Sequence, residues 1–347
     1  MSRPHVFAVE DTAVQVRWRR DRDGQPGVHD FTGLAPGTRH VLRVPELGGA
    51  RVVARTLADP PGAETARFAT INDVHVGLTK FGFLIDMHEP PAAEPHSVRC
   101  LRSAIADALA WGAELIVVKG DLTDRSRPAE METVGAVLAG LPVPVAVVPG
   151  NHEVKPNRPA EAQSGLGAHG LHLVHGVEVV DLPGVRVILA DSTIPDRHKG
   201  RIEHVAGDIV RRAARAPGAV VVGMHHNLQR HRLPTFWPPG VRGPEADRFL
   251  RALHEANPRS LVSTGHTHRH RKAVREGVTV TEVGSTKDYP GTWTGYVAYE
   301  GGLRQVVRKV SDPSVLPWTE HTRWAAGGIW GLYTPGPLSS RCFTVLW

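Results

Sequence analysis

Two patterns of apolar residues divide the chain. Up to about residue 62, short apolar stretches at 6–9, 13–18, 40–44 and 51–56 read as strands. Turn-forming clusters, Asp21-Arg-Asp-Gly24 and Ala35-Pro-Gly-Thr38, separate them. No helical period intervenes, so a small all-β sandwich is expected over 1–62, with Asp59-Pro-Pro-Gly-Ala63 as a linker. From residue 66 the pattern alternates. Buried-strand runs at 67–71, 114–118, 143–148, 185–189, 219–222 and 260–263 are interleaved with helical spacing at 96–111, 128–141, 202–214 and 244–256. The spacing Val98, Leu101, Ile105 and Leu109 is typical of these helices. Three further strand candidates, 279–282, 293–299 and 304–310, close the series, the last of them antiparallel. Strand–helix alternation of this kind predicts an α/β fold over 66–310.

The remainder, 311–347, holds Trp318, Trp324, Trp330 and Trp347, half of the eight tryptophans. Such a segment is too apolar to be a free tail and is expected to dock on the body or on a second copy of the chain, which leaves a homodimer open. Composition changes little in this picture. Apolar residues make up 41% and charged residues 22%, which excludes a disordered chain, a coiled coil or a collagen-like fibre. A formal net charge of +6 permits anionic ligands, but no long basic run calls for nucleic acid. Cys100 and Cys342 are two isolated thiols, not a disulfide framework. The longest uncharged apolar run, 134–149, is short for a bilayer and holds Pro142, Pro144 and Pro149. With no apolar stretch in Met1-Ser-Arg-Pro-His, a cytoplasmic protein without a membrane partner is expected.

Histidine is the departure: there are 20, several beside Asp, Asn and Gly. Five motifs follow predicted strands in turn: Asp73-Val-His75, Gly120-Asp121, Gly150-Asn151-His152-Glu153, Gly223-Met-His225-His226 and Gly265-His266-Thr-His268. The C-terminal edge of a parallel sheet is where such groups converge. Taken singly, the motifs are weak; Asn and Glu can cap a following segment, and Asp-x-His is common at strand ends. Taken together, carboxylates, imidazoles and an amide carbonyl with no thiolate suit Mn, Fe or Zn in a catalytic setting. Seven or eight such groups exceed one tetrahedral shell and suit two ions sharing a carboxylate, the arrangement that clamps both oxygens of an in-line displacement at phosphorus.

In this order the motifs resemble the calcineurin-like metallophosphoesterases over about 66–310. The resemblance implies a four-layer αββα sandwich with two mixed sheets. It also implies ligand roles. Asp73, His75, Asp121 and His268 would hold one metal ion, and Asp121, Asn151, His225 and His266 the other. His152 would be the general acid for the leaving oxygen during in-line attack by a metal-bridging hydroxide. Either His225 or His226 can fill the strand-end position; His225 aligns with the family's histidine, which places His226 behind it or beside the substrate. Within the family, Gly120-Asp-Leu-Thr-Asp124 with Gly-Asn-His-Glu is most similar to bacterial class III cyclic-nucleotide phosphodiesterases. Asp124 stands where purple acid phosphatases have tyrosine, and Pro149 where protein Ser/Thr phosphatases have arginine. The stretch 34–44 resembles the E–F corner of fibronectin type III domains, and such modules precede the catalytic domain in several phosphatase families.

The expected activity is therefore dinuclear metal-dependent hydrolysis of a small phosphate ester, most of all a phosphodiester of the cyclic-nucleotide kind. Phosphomonoesterase activity is the alternative, and a nuclease or a non-catalytic scaffold ranks below both. For the substrate, Asn151, His226, Arg230 and Trp237 are candidates, the last two because the Arg/Pro/aromatic stretch 229–244 follows the His225 motif. Arg269-His-Arg-Lys272 is expected as a solvated turn and His96 as a surface residue.

Overall fold

The computed structural model describes residues 2–82, 86–154, 164–231, 233 and 238–347. Two six-stranded sheets form the body. The first has the order β10-β9-β6-β17-β18-β19, where β6 is Glu64–Ile71, β9 Ile116–Lys119, β10 Val145–Val148, β17 Thr292–Tyr299, β18 Gly302–Lys309 and β19 Cys342–Leu346. The second has the order β11-β12-β13-β14-β16-β15, where β11 is Val177–Leu182, β12 Val185–Ala190, β13 Ala219–Met224, β14 Ser260–Thr264, β15 Arg271–Arg275 and β16 Val278–Glu282. Strands β10, β9 and β6 run parallel, as do β12, β13, β14 and β16; the remaining pairings are antiparallel. Both sheets are therefore mixed.

Alternation along the strands explains the layering. In β6, Ala69 and Ile71 face the helices His96–Ala110 and Pro128–Leu138, packing with Val98, Leu101, Ile105 and Met131. Phe68 faces the other way, into an inter-sheet core with Val117, Val187, Leu189, Val221, Leu261 and Tyr296. The outer face of the second sheet is covered by the helices Glu203–Ala214 and Gly243–Ala256 through Ile209, Phe249, Leu250 and Leu253. Helix, sheet, sheet and helix make the four layers.

The N-terminal strands form two small antiparallel sheets. One is β1 (His5–Val9), β2 (Val14–Trp18) and β3 (Gly27–Phe31); the other is β4 (Arg39–Val44) with β5 (Ala50–Arg55). Five strands cannot close a core alone. Their apolar faces share a cluster with Val306, Val307 and Cys342 of the body. The C-terminal segment packs on the body too: β19 extends the first sheet at β18. Among the described residues, no helix is long and apolar enough to cross a membrane.

One ion-pair knot ties the N-terminal sheet, β18 and the C-terminal segment together. Glu320, in the helix Leu316–Thr322, lies 3.3 Å from Arg17 of β2 and 3.2 Å from Lys309 of β18. All three are largely buried. Burial alone would raise the Glu320 carboxyl, but Lys309 and Arg17 hold it below the usual value. A lowered carboxyl contributes stability above its ordinary range and loses it as the pH falls through the folded value. Glu320→Ala should cost about 3–5 kcal/mol, because it strands a buried ammonium. Urea unfolding at neutral pH checks the loss, and the gap between wild type and variant should narrow on acidification below the glutamate range.

Candidate metal centre

All five motifs sit directly after strands, at one edge of the sandwich. Asp73 and His75 follow β6, Asp121 follows β9, and Asn151 and His152 follow β10, all from the first sheet. His225 follows β13, and His266 and His268 follow β14, from the second. Sharp turns aim them. Among the described residues, five of the nine non-glycine residues with positive φ are Asp73, His75, Asp121, His266 and His268. Non-glycine residues in that region cluster at functional sites. The motif glycines allow the close approach: a Cβ on Gly120 would sit 2.5 Å from the His225 ring, and one on Gly150 would sit 2.3 Å from Asp121 Oδ1.

Two groups of donor atoms converge. In the first, His75 Nε2 lies 3.3 Å from His268 Nε2, His268 Nε2 lies 3.5 Å from Asp73 Oδ1, and His75 Nε2 lies 3.8 Å from Asp121 Oδ2. In the second, His225 Nε2 lies 3.0 Å from His266 Nδ1, 3.2 Å from Asn151 Oδ1 and 3.4 Å from Asp121 Oδ2. Asp121 Oδ2 belongs to both. Ligands bound at about 2.0–2.2 Å and subtending 90–110° stand about 3.0–3.5 Å apart, so these separations fit ions held between the donors. Other ring atoms fit as well. His225 Nδ1–H donates to the Lys119 carbonyl at 3.1 Å and His268 Nδ1–H to Asp288 Oδ1 at 2.9 Å, which leaves each Nε2 lone pair facing inward. His75 Nδ1 and His266 Nε2 are buried with no hydrogen-bond partner among the described residues.

The electrostatics describe a site waiting for positive charge. Burial lowers His75 and His226, and His266 to about 3, keeping them neutral and able to ligate. Burial alone would also lower His225, yet the Asp121 carboxylate raises it to about 9. Asp288 and Asp73 likewise lift His268 well above its usual value against burial. His225 holds Asp121 well below the carboxylate range despite burial. Protons here stand where cations would.

His152 differs from the others. Its Nδ1–H donates to the Asp124 carbonyl at 2.6 Å, and Nε2 lies 3.9 Å from Asp121 Oδ2. Its side chain is 19% exposed, against 4% for Asp121, so it stands at the rim, where a proton can reach a substrate. A cavity of about 380 Å³ opens here, lined by His75, Asp121, Asn151, His152, His266 and His268 and walled by Phe81, His198, Lys287 and Trp330. Lys287 is 5% exposed and its ammonium donates to the Leu78 carbonyl at 3.4 Å; burial lowers it to about 8. A larger open groove of about 1060 Å³ runs along Arg197, Lys199, Arg201 and Arg242 and touches none of the motif residues.

The other substrate candidates fare differently. His226 is fully buried behind His225, donating or accepting at Ser192 Oγ 2.9 Å away, and does not line the cavity. Arg230 is exposed and does not line it either. Trp237 lies outside the described residues. Two expectations about neighbours fail. Arg269-His-Arg-Lys272 is no solvated turn: Arg269 is 5% exposed and pairs with Glu282 at 2.6 Å, and Arg271 begins β15. His96 is buried, its ring N–H meeting the Lys287 carbonyl at 2.7 Å.

Sequence patterns missed the residues behind the donors. Glu153 is fully buried and accepts from the backbone N–H groups of Asp121, Thr123 and Gly150, at 2.9, 3.1 and 2.9 Å, fixing two motif loops against each other. Asn72 donates to Asp73 Oδ2 at 2.9 Å, and Ser285 to the Asp73 carbonyl at 2.8 Å. The positions of Glu153 after Asn-His and of Asp288 after Gly284-Ser-Thr were the available signals; Asn72 and Ser285 carried none.

A family model described as calcineurin-like phosphoesterase matches residues 66–270. The chain belongs to this family. Calcineurin-like phosphoesterases use a dinuclear metal centre and are phosphoric ester hydrolases, as this chain is, and its donor cluster suits such a centre. A protein of Psychrobacter arcticus named probable cyclic nucleotide phosphodiesterase is 26% identical over 221 residues, covering 60% of this chain and 76% of that protein. A Rhodococcus erythropolis protein of the same name is 30% identical over 197 residues, covering 54% of this chain and 62% of that protein. The purple acid phosphatase PPD1 of yellow lupin superposes with a TM-score of 0.51 at 13% identity, over 90% of this chain and 73% of that one, a likeness of fold.

Glu153→Gln keeps the shape of the phosphoesterase but turns an NH₂ toward backbone donors. It should destabilise the fold by about 1–3 kcal/mol, because it leaves buried backbone N–H groups facing a donor, measured as a shift in the urea midpoint.

Proposed function

We propose that this chain is a dinuclear phosphodiesterase acting on small diesters of the cyclic-nucleotide kind. The observation that carries the metal assignment is Asp121 Oδ2 standing within 3.4–3.8 Å of a histidine from each donor group. On this reading Asp73, His75, Asp121 and His268 hold one ion, and Asp121, Asn151, His225 and His266 the other. Bound there, the pair would supply positive charge at the phosphate oxygens and acidity for water. The native pair is drawn from Mn, Fe and Zn, the ions that suit imidazole, carboxylate and amide oxygen.

The remaining chemistry belongs to the chain itself. His152 keeps its Nδ1 proton on the Asp124 carbonyl, so the proton it transfers is on Nε2, the atom facing the cavity. A leaving alkoxide from an alkyl ester is a poor leaving group, and protonating it is worth about 10²–10⁴-fold. The Lys287 ammonium in the cavity wall adds one fixed positive charge beside the phosphate site. The diester preference rests on the two relatives' names and on the Gly-Asp-Leu-Thr-Asp and Gly-Asn-His-Glu motifs. The same Lys287 ammonium favours a second reading, a doubly charged monoester.

The test compares a bis-aryl phosphodiester with an aryl phosphomonoester on manganese-loaded protein, with Asp121→Ala as the blank. We expect the diester to be preferred and the blank to lose activity and bound metal together. A monoester preference would overturn the diester assignment. His152→Ala should keep about two ions per chain by metal analysis while losing about 10²-fold or more in turnover, most on alkyl leaving groups. Loss of metal in that variant would show that His152 is a ligand.

A further inference from the structure

Part of the cavity wall comes from a segment outside the matched span of 66–270. The short helix Ile329–Tyr333 carries Trp330 into the cavity lining. Its indole Nε1–H donates to Asp288 Oδ2 at 2.9 Å. The other oxygen of that carboxylate, Oδ1, accepts from His268 Nδ1–H at 2.9 Å. Asp288 is fully buried, and its backbone N–H reaches Ser285 Oγ at 3.4 Å, the same hydroxyl that holds the Asp73 carbonyl. The Trp330 ring stands edge-on to His268 at 5.9 Å and to Phe81 at 5.4 Å.

A buried carboxylate with a donor on each oxygen cannot rotate without stranding one of them. Its orientation fixes the tautomer and the plane of His268, and so the direction of the Nε2 lone pair toward Asp73 and His75. The indole N–H is the far anchor of that chain of contacts. Without it, Oδ2 loses its indole donor, and the Asp288 side chain is less firmly held toward His268.

We infer that Trp330 is a positioning residue: through Asp288 it sets His268 as a ligand, so the C-terminal segment completes the metal centre. The inference rests on the dinuclear reading above. It separates from simple packing because the phenyl ring of Trp330→Phe preserves most of the contact with Phe81 and His268 and removes only the N–H.

The experiment is calorimetric titration of Mn²⁺ into metal-free, full-length protein, with thermal unfolding of each variant alongside. Wild type should bind two ions. Trp330→Phe should weaken one of the two sites about 10-fold and leave the other as in wild type, with the unfolding midpoint of the metal-free protein lowered only by the few degrees that one lost buried hydrogen bond costs. Asp288→Asn, which replaces an accepting oxygen by a donating NH₂ opposite either His268 or Trp330, should weaken the same site further, up to about 100-fold. Wild-type affinity at both sites in Trp330→Phe would overturn the inference. So would equal weakening of both sites with a lowered midpoint, the signature of lost packing. If wild type itself takes up no ion pair, the dinuclear reading fails and this inference falls with it, an outcome distinct from either.

Discussion

The site exists only while the two sheets keep their register. Asp73, His75, Asp121 and Asn151 are anchored in one sheet, and His225, His266 and His268 in the other, yet donor atoms from the two lie 3.2–3.5 Å apart. A slip of one residue along a strand would move these atoms by about 3.3 Å and turn every inward side chain outward. The apolar inter-sheet layer resists such a slip in bulk, because a mismatched pleat opens voids. A polar contact sets it locally. Lys119, the last residue of β9, is fully buried and donates to Ser263 Oγ of β14 at 2.6 Å, and Tyr296 of β17 reaches the same hydroxyl at 2.6 Å. One hydroxyl thus ties β9, β14 and β17 together just before Asp121 and His266.

Crowding so many ionisable groups at one edge works against folding. Positive φ at five of them costs on the order of 1 kcal/mol or more each, and buried imidazoles facing one another have too few protons to share. The fold offsets this in two ways. Buried acceptors such as Glu153 tie the loops through backbone N–H groups, so the strained conformations are over-determined. The carboxylates and histidines also sit as mutual partners, with Asp121 lowered and His225 raised. Two cations between the same atoms would replace these protons and relieve the like-charge contacts, which is why the donor geometry is better explained by metal than by hydrogen bonding alone.

The sequence made the body legible where strands were fully buried and apolar. Strands β6, β9, β10, β12, β13 and β14, and the four long helices, lie where hydrophobic period places them, and each motif follows a strand as its spacing requires. Strands failed to show where one face meets solvent or charge. β3 (Gly27–Phe31) holds two strong apolar residues, and β15 (Arg271–Arg275) is mostly cationic, with Arg271 pairing Glu282 eleven residues on in sequence. β19 was hidden in a segment read only as Trp-rich. Arg269 and His96 looked solvated because their buried partners, Glu282 and the Lys287 carbonyl, carry no local signature. The donors were legible because metal chemistry restricts residue type; the groups behind them were not, because any acceptor at the right place serves.

That asymmetry bears on how the cavity of this phosphoesterase is built. The matched span carries the motif residues and ends at 270. Two residues of the cavity wall, Lys287 and Trp330, and Asp288 behind His268, come after it. Lys287 and Asp288 are neighbours in one turn between the two sheets, the first facing the cavity and the second facing His268. Trp330 arrives from a segment that is itself held by β19 pairing with β18 and by Glu320 between Arg17 and Lys309. The same ion-pair knot fastens the N-terminal sheet. Changes far from the metal ions, in the small β module or in the last strand, can therefore reach the substrate wall through packing that the shared motifs do not constrain.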